Sequence, residues 1–196
     1  MNWLKEHAAI CRNEWFKDHY AAELSPGIFE FRKPGTWTYG MRFIIHSRWL
    51  VVLGDIGEAT YEWSETITPD FLRNLDFGYF RSKCRASEFG RGYDLFDAEA
   101  GAEALAAQAS AHKDDEYPSF LWTEYDTLSR IVRLCSCRDE WKQAVWRRYE
   151  DGGIDAETAS DAFGLAVFPH PRQIGHWAGV QMALNLLAEE KEIRKP

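Results

Sequence analysis

The sequence between residues 37 and 63 constrains the fold more than any other part of the chain, because three strand patterns follow one another there. Apolar side chains alternate with polar or smaller ones over 37–46, which is typical of a strand with one buried face. The apolar run 49–53 predicts a central strand with both faces covered. Alternation over 59–63, after a turn with two glycines at 54–57, predicts a third antiparallel strand. A shorter pattern at 28–32 predicts a fourth.

Helical patterns surround this predicted sheet. Leu4, Ala8, Cys11 and Trp15 recur at helical spacing, and the pattern ends at the turn 25–27. Thr68 precedes Pro69 as a capping residue precedes the first helical position, so a short helix is expected to begin there. The remaining helices are predicted over 76–85, from Asp97 to about 111, and over 121–135, 138–149, 155–163 and about 177–187.

These elements predict an α+β fold. A small antiparallel meander of three to four strands, at about 28–64, packs against an N-terminal helix and a mostly α-helical C-terminal half. At 196 residues the chain has the size of one compact domain. We expect a single domain over 1–196, with a sheet-containing part at about 1–95 and a helical part at about 96–196.

Amino-acid composition and net charge narrow the classes of protein to which this chain can belong. Hydrophobic residues make up 45% of the chain and nine residues are Trp, so a packed core is expected rather than disorder. The net charge of −8 disfavours direct binding to nucleic acid or to an anionic membrane. No apolar run approaches the roughly 18 residues of a membrane span, and the N-terminus lacks the pattern of a signal peptide. A cytoplasmic protein with free cysteine thiols is therefore predicted.

Motifs of known chemistry are absent from the sequence. It contains no Gly-x-Ser-x-Gly elbow, no phosphate-binding glycine loop and no dinucleotide fingerprint. Cys135 and Cys137, with His170 and His176 downstream, have the wrong spacing for a zinc site, and Cys135 falls on an apolar helical stripe. We predict neither a metal nor a cofactor, and no catalytic residue.

One turn offers an enzymatic alternative. Asp55 and Glu58 follow the apolar strand, where catalytic carboxylates often lie, although hairpin turns also favour Asp and Gly for conformational reasons. If His46 or His176 lay beside them, the group could act on a nucleotide or nucleic acid. This alternative requires those side chains to be within hydrogen-bonding or shared-metal reach of one another.

Charge is distributed unevenly along the chain. Between residues 97 and 126 eight acids face only Lys113, which gives this segment a charge of −7. An acidic helical face can occupy a basic groove on another protein in place of nucleic acid. A smaller basic segment, with Arg81, Lys83 and Arg85 among aromatic residues, is a possible secondary contact. The predicted partner-binding acids are Asp97, Glu99, Glu103, Asp114, Asp115, Glu116, Glu124 and Asp126.

The runs 53–63 and 75–84, together with the Trp-containing helix at 177–187, resemble a group of small acidic proteins encoded by bacteriophages and prophages. The resemblance covers about half of the chain and carries no catalytic residue with it. It implies a genetic setting in which small acidic proteins often block bacterial defences that target nucleic acid, CRISPR–Cas among them.

These observations together predict an interaction protein. We expect a phage-encoded inhibitor that binds a host protein or ribonucleoprotein with a basic surface through its acidic helical face. On this interpretation the protein binds no nucleic acid directly and no membrane.

Overall fold

The computed structural model describes residues 3–88, 94–111 and 120–193. The chain divides into two compact units. The sheet unit comprises Asn2–Tyr93 and His170–Pro196, and the helical unit comprises Asp94–Pro169. The single domain over 1–196 that we expect from the sequence stays a prediction.

Five consecutive strands follow the N-terminal helix, and most of the later elements are helices. In chain order they are α1 Trp3–Ile10, a π-helical turn Cys11–Trp15, β1 Tyr20–Ser25, β2 Ile28–Arg32, β3 Met41–His46, β4 Trp49–Gly54, β5 Ala59–Glu62, α2 Pro69–Arg73, α3 Phe77–Ser82, β6 Cys84–Ser87, β7 Asp94–Phe96, α4 Ala98–Ala111, α5 Phe120–Val132, α6 Arg138–Glu150, α7 Ala156–Leu165, β8 Val167–Pro169 and α8 Pro171–Ile193.

The sheet unit is built on a six-stranded antiparallel meander in the order β1 to β6. In its centre Phe43 pairs with Val52 and Ile44 with Val51. Because side chains alternate along a strand, Phe43 and Val52 share the inner face, whereas Ile44 and Val51 share the outer face. Phe43 and Val52 are fully buried, so the inner face is the one that carries the core.

Helix α8 packs against the inner face of this sheet. A Cβ atom at Gly179 would lie 2.6 Å from Cε of Met41 and 3.0 Å from Cζ of Phe16, so the helix backbone comes close to these two core side chains. Helix α1 and the π-helical turn contribute Ala8 and Cys11 to the same core. Burial raises the pKa of the Cys11 thiol to about 12, which makes it a small apolar side chain in practice.

The helical unit has a second core of its own. Leu105 of α4, Leu128 and Val132 of α5 and Trp141 of α6 are fully buried together. Strands β7 and β8 pair antiparallel and form the only two-stranded sheet in the part of the chain that the structure describes. Asp155 and Asp97 cap α7 and α4 by accepting hydrogen bonds from the backbone N–H groups of Thr158 and Ala100.

The structure confirms the predicted α+β class and adds detail to it. The predicted strands at 28–32, 49–53 and 59–63 are present, and α2 begins at Pro69 after the Thr68 cap. The strand predicted over 37–46 begins only at Met41, because Tyr39 has a positive φ of 56° and turns the chain. The sequence does not predict β1, β6, β7 or β8, and the meander has six strands where three to four are expected. The helix predicted over 76–85 ends at Ser82, and β6 begins at Cys84. None of the described helices is long and apolar enough to cross a lipid bilayer.

Candidate interaction surfaces

The two units differ strongly in net charge. The helical unit contains seven Lys and Arg residues against sixteen Asp and Glu residues, a net charge of −9. The sheet unit contains sixteen basic residues against fifteen acidic ones, a net charge of +1. All of the protein's acidic excess therefore belongs to the helical unit.

Several of the predicted partner-binding acids have roles inside that unit. The carboxylate of Asp97 caps α4, and Asp97 N–H donates to the carbonyl of Ala166. Glu99 forms an ion pair with Arg133 at 3.3 Å, and Asp126 forms one with Arg130. Both pairs are on the surface, where such pairs contribute little to stability.

Glu124 is the exception among these acids, because it is buried. Arg148 of α6 donates to its Oε2 atom through Nε at 3.1 Å and also through Nη2. The side chain of Glu124 is 9% exposed and that of Arg148 is 31% exposed. This carboxylate therefore links α5 to α6 and does not lie on an open acidic face.

The remaining predicted acids divide into two groups. Glu103 is exposed on α4 and forms no ion pair with any residue that the structure describes. Asp114, Asp115 and Glu116 lie outside the described residues. Exposed acids also occur elsewhere in the unit, and Glu157 and Asp161 lie one turn apart on the same side of α7.

An apolar groove runs between α6 and α7 in the same unit. It encloses about 300 Å³ and is lined mainly by Val145, Trp146, Tyr149, Ala159 and Phe163. Trp146 is 55% exposed, and its ring centroid lies 5.1 Å from that of Tyr149. Exposed aromatic side chains around a concave apolar surface are typical of a protein-binding site.

The sequence did not reveal this groove. Trp141, Val145 and Tyr149 share one side of α6, which predicts that all three are buried, but only Trp141 and Val145 are. Tyr149 lies in the last turn of the helix, beyond the core. Trp146 does not lie on the side of α6 that carries these three residues, and charged residues follow it in the sequence. Only this position in the helix indicates that Trp146 is exposed.

The predicted secondary contact at Arg81, Lys83 and Arg85 has two parts in the structure. Helix α3 buries Phe77 and Phe80 and leaves Arg81 and Lys83 half-buried at its end, with the Lys83 ammonium 4.4 Å from the Tyr79 ring centroid. Arg85 lies on β6, where its Nε atom is 3.0 Å from Oε2 of Glu62. The three cations therefore do not form one cluster of unpaired charge.

The carboxylates of the enzymatic alternative are not assembled with a histidine. Asp55 accepts a hydrogen bond of 2.8 Å from Tyr39 N–H and so stabilises the turn before β3. His46 pairs with Trp49 at the far end of β4, about 17 Å along the strand from Gly54, the residue before Asp55. Glu58 lies instead beside Glu88 at a shallow depression of about 210 Å³.

His176 is equally unsuited to this chemistry, because it is completely buried. Its Nε2 atom lies 3.2 Å from the carbonyl oxygen of Gly57, and its Nδ1 atom lies 3.0 Å from the Tyr61 hydroxyl. Burial lowers the pKa of His176 to about 4. The imidazole is therefore a neutral core group with both nitrogens hydrogen-bonded.

Metal ligands are not gathered anywhere in the described residues. Over 3–88, 94–111 and 120–193 no three His, Cys, Asp or Glu side chains are placed to share an ion. Burial raises the pKa of the Cys135 thiol, which packs against the core of the helical unit. Its neighbour Cys137 is exposed just before α6.

No protein-family model matches the chain, and neither the curated proteins nor the solved structures include a match to it.

Proposed function

We propose that this protein is a phage-encoded inhibitor that binds a basic surface of a host complex that targets nucleic acid. The main support for this proposal is the difference in net charge between the two units, which is −9 for the helical unit and +1 for the sheet unit. A unit of this charge is attracted to a surface built to hold phosphates, and the attraction accelerates association. The site of action is then the cytoplasm of the bacterial host.

The groove between α6 and α7 gives this unit a place for apolar contact. Electrostatic attraction mainly raises the association rate and the specificity, whereas buried aromatic anchors usually supply most of the binding free energy. Trp146 and Tyr149 are such anchors, and Glu157 and Asp161 are nearby acids on α7. We therefore place the centre of the interface on α6 and α7 rather than on α4 and α5.

The proposal is tested by capture of the tagged protein's partners from a host lysate at low and moderate salt, followed by mass spectrometry. The variant Glu157→Lys/Asp161→Lys removes two exposed acids from α7. The matched control, Glu189→Lys/Glu192→Lys, makes the same change in charge on the exposed end of α8. Both variants change the net charge from −8 to −4, so they differ in where the charge changes and not in its size.

We expect the wild-type protein and the α8 control to retain one salt-sensitive nucleic-acid-binding complex and the α7 variant to lose it. Trp146→Ala is expected to weaken the same interaction by about 2 kcal/mol or more without changing its salt dependence. Equal retention of the complex by both charge variants would contradict an interface on α7.

A further inference from the structure

The outer face of the six-stranded sheet, opposite α8, carries two clusters of the same composition. In each cluster two Arg side chains surround one Glu and a Trp lies beside them. The Glu30 cluster consists of Glu30, Arg32, Arg42 and Trp37, and the Glu62 cluster consists of Glu62, Arg48, Arg85 and Trp49.

The Glu30 cluster lies where β2 ends and β3 begins. Arg32 Nε donates to Oε1 of Glu30 at 2.7 Å, and Arg42 Nη2 donates to Oε2 at 2.9 Å. These hydrogen bonds, that from Arg32 most of all, lower the pKa of Glu30 although its burial acts in the opposite direction. Both guanidinium carbons lie within 5.6 Å of the Trp37 ring centroid, and Trp37 is 46% exposed.

The Glu62 cluster repeats this arrangement at the opposite end of β4 and β5. Arg48 Nη2 lies 2.6 Å from Oε1 of Glu62, and Arg85 Nε lies 3.0 Å from Oε2. The Arg48 guanidinium lies 5.8 Å from the Trp49 ring centroid. Both arginines are more than half exposed, so N–H donors that Glu62 does not use face solvent.

The two clusters lie at diagonal corners of the outer face. Arg42 pairs with Leu53, which is four residues from Trp49, so the clusters are about 13 Å apart along the strands and further apart across them. The half-buried side chains of Ile44 and Val51 lie between them. Glu58 and Glu88 lie at a third corner, off this diagonal.

We propose that this face binds single-stranded nucleic acid along the diagonal. Each cluster has a charge of +1, which gives the diagonal a charge of +2 on a unit whose own net charge is +1. Arginine donors contact phosphates, and bases stack on Trp37 and Trp49 and against the apolar side chains between them. The proposal is independent of the function assigned to the helical unit.

The protein's net charge disfavours binding to nucleic acid, but the charge of the sheet unit does not. The acidic excess behind the net charge of −8 belongs to the helical unit, whereas the sheet unit that carries this face has a net charge of +1. A single strand is favoured over a duplex because its bases are free to stack on aromatic rings. An acidic polypeptide would match the charge of the two clusters but has no bases to stack on Trp37 and Trp49.

The test is a fluorescence-anisotropy titration of the full-length protein with labelled single-stranded oligo-dT and oligo-U of 20 nucleotides. Competitors are a duplex of equal length and a polyglutamate peptide of equal charge. We expect single strands to bind and to displace the probe better than the duplex or the peptide. We also expect affinity to fall steeply between 50 and 200 mM salt.

Three variants assign the binding to this face. Trp37→Ala should weaken binding roughly 5- to 100-fold through the loss of one stacking contact, and Trp37→Phe should restore most of it. Arg85→Ala should lower the slope of log affinity against log salt by about one. Trp146→Ala removes an exposed Trp of the helical unit and should leave the affinity for the strand unchanged.

Three results would overturn the proposal. The first is the absence of binding to either single strand at 50 mM salt. The second is competition by polyglutamate as strong as that by oligo-dT. The third is a loss of affinity with Trp146→Ala that equals the loss with Trp37→Ala.

Discussion

The Tyr61 hydroxyl lies 3.0 Å from Nδ1 of His176 in the core between β5 and α8, and both side chains are fully buried. The Gly57 carbonyl oxygen beside Nε2 can only accept a hydrogen bond, so Nε2 carries the proton and Nδ1 accepts from Tyr61. The pair therefore fixes one neutral tautomer and links the last helix to the sheet.

This arrangement makes stability depend on pH. Burial lowers the pKa of His176 from 6.5 to about 4, so between these values the unfolded chain binds a proton that the folded protein does not. Neutral His176 therefore contributes roughly 3 kcal/mol to the free energy of unfolding above about pH 6.5. This contribution is lost as the pH falls towards 4. Urea unfolding at pH 7.5 and 4.5 should show a smaller loss of stability for His176→Gln than for the wild type. The variant His46→Gln, at an exposed position, serves as the control. Equal losses of stability between pH 7.5 and 4.5 in the wild type and in His176→Gln would contradict this account.

Removal of the Tyr61 hydroxyl should destabilise the sheet unit. In Tyr61→Phe the buried Nδ1 atom of His176 has no donor, at a cost of about 1–3 kcal/mol. Tyr79→Phe makes the same chemical change at a position that is 40% exposed and should cost less than about 0.5 kcal/mol. Urea unfolding at pH 7.5 measures the loss of stability in each variant. If the two variants are equally stable, the hydrogen bond between Tyr61 and His176 does not stabilise the fold.

The Glu124–Arg148 pair should matter more to folding than the other ion pairs of the helical unit. Arg148→Ala leaves a buried carboxylate without its cation, which should cost roughly 2–3 kcal/mol given the partial exposure of Arg148. Arg130→Ala breaks the surface pair with Asp126 and should cost less than about 1 kcal/mol. Thermal unfolding of the two variants makes the comparison. Similar melting temperatures would mean that Glu124 is solvated after all.

Two glycines of the helical unit should respond in opposite ways to the same substitution. A Cβ atom at Gly101 would lie 2.5 Å from Cβ and 2.9 Å from Cα of Ala166, so Gly101→Ala forces α4 away from its neighbour and should cost about 1–3 kcal/mol. Gly164 in α7 has no atom within 4 Å of such a Cβ, and Gly164→Ala should stabilise the protein by up to about 1 kcal/mol. Urea unfolding gives both values. A stable Gly101→Ala variant would show that α4 has room to move.

Strand prediction succeeded where the residue pattern was strong. Strands β4 and β5 have continuous or alternating apolar residues and lie where the sequence predicts them, whereas β3 covers only the second half of its predicted range. Strands β1 and β6 contain Ala, Ser and Cys and have no apolar alternation, so their structure depends on pairing with β2 and β5. Such pairing is a tertiary effect that no local pattern contains.

The candidate surfaces could be predicted only in part. A count of acids along the chain correctly places the negative charge in the second half, but it cannot show that Glu124 is buried beside Arg148. The groove with Trp146 and Tyr149 depends on how α6 and α7 pack, and the clusters around Glu30 and Glu62 depend on strand register. Each of these features joins residues that are far apart in sequence.

The central claim, inhibition of a host defence through the helical unit, is tested most directly in cells. A phage targeted by an active CRISPR–Cas system is plated on bacteria that express the wild-type protein, Glu157→Lys/Asp161→Lys or Glu189→Lys/Glu192→Lys, with expression levels matched. The account predicts that plaquing is restored by the wild type and by the α8 control but not by the α7 variant. Restoration by all three proteins, or by none across a panel of nucleic-acid-targeting defences, would contradict it.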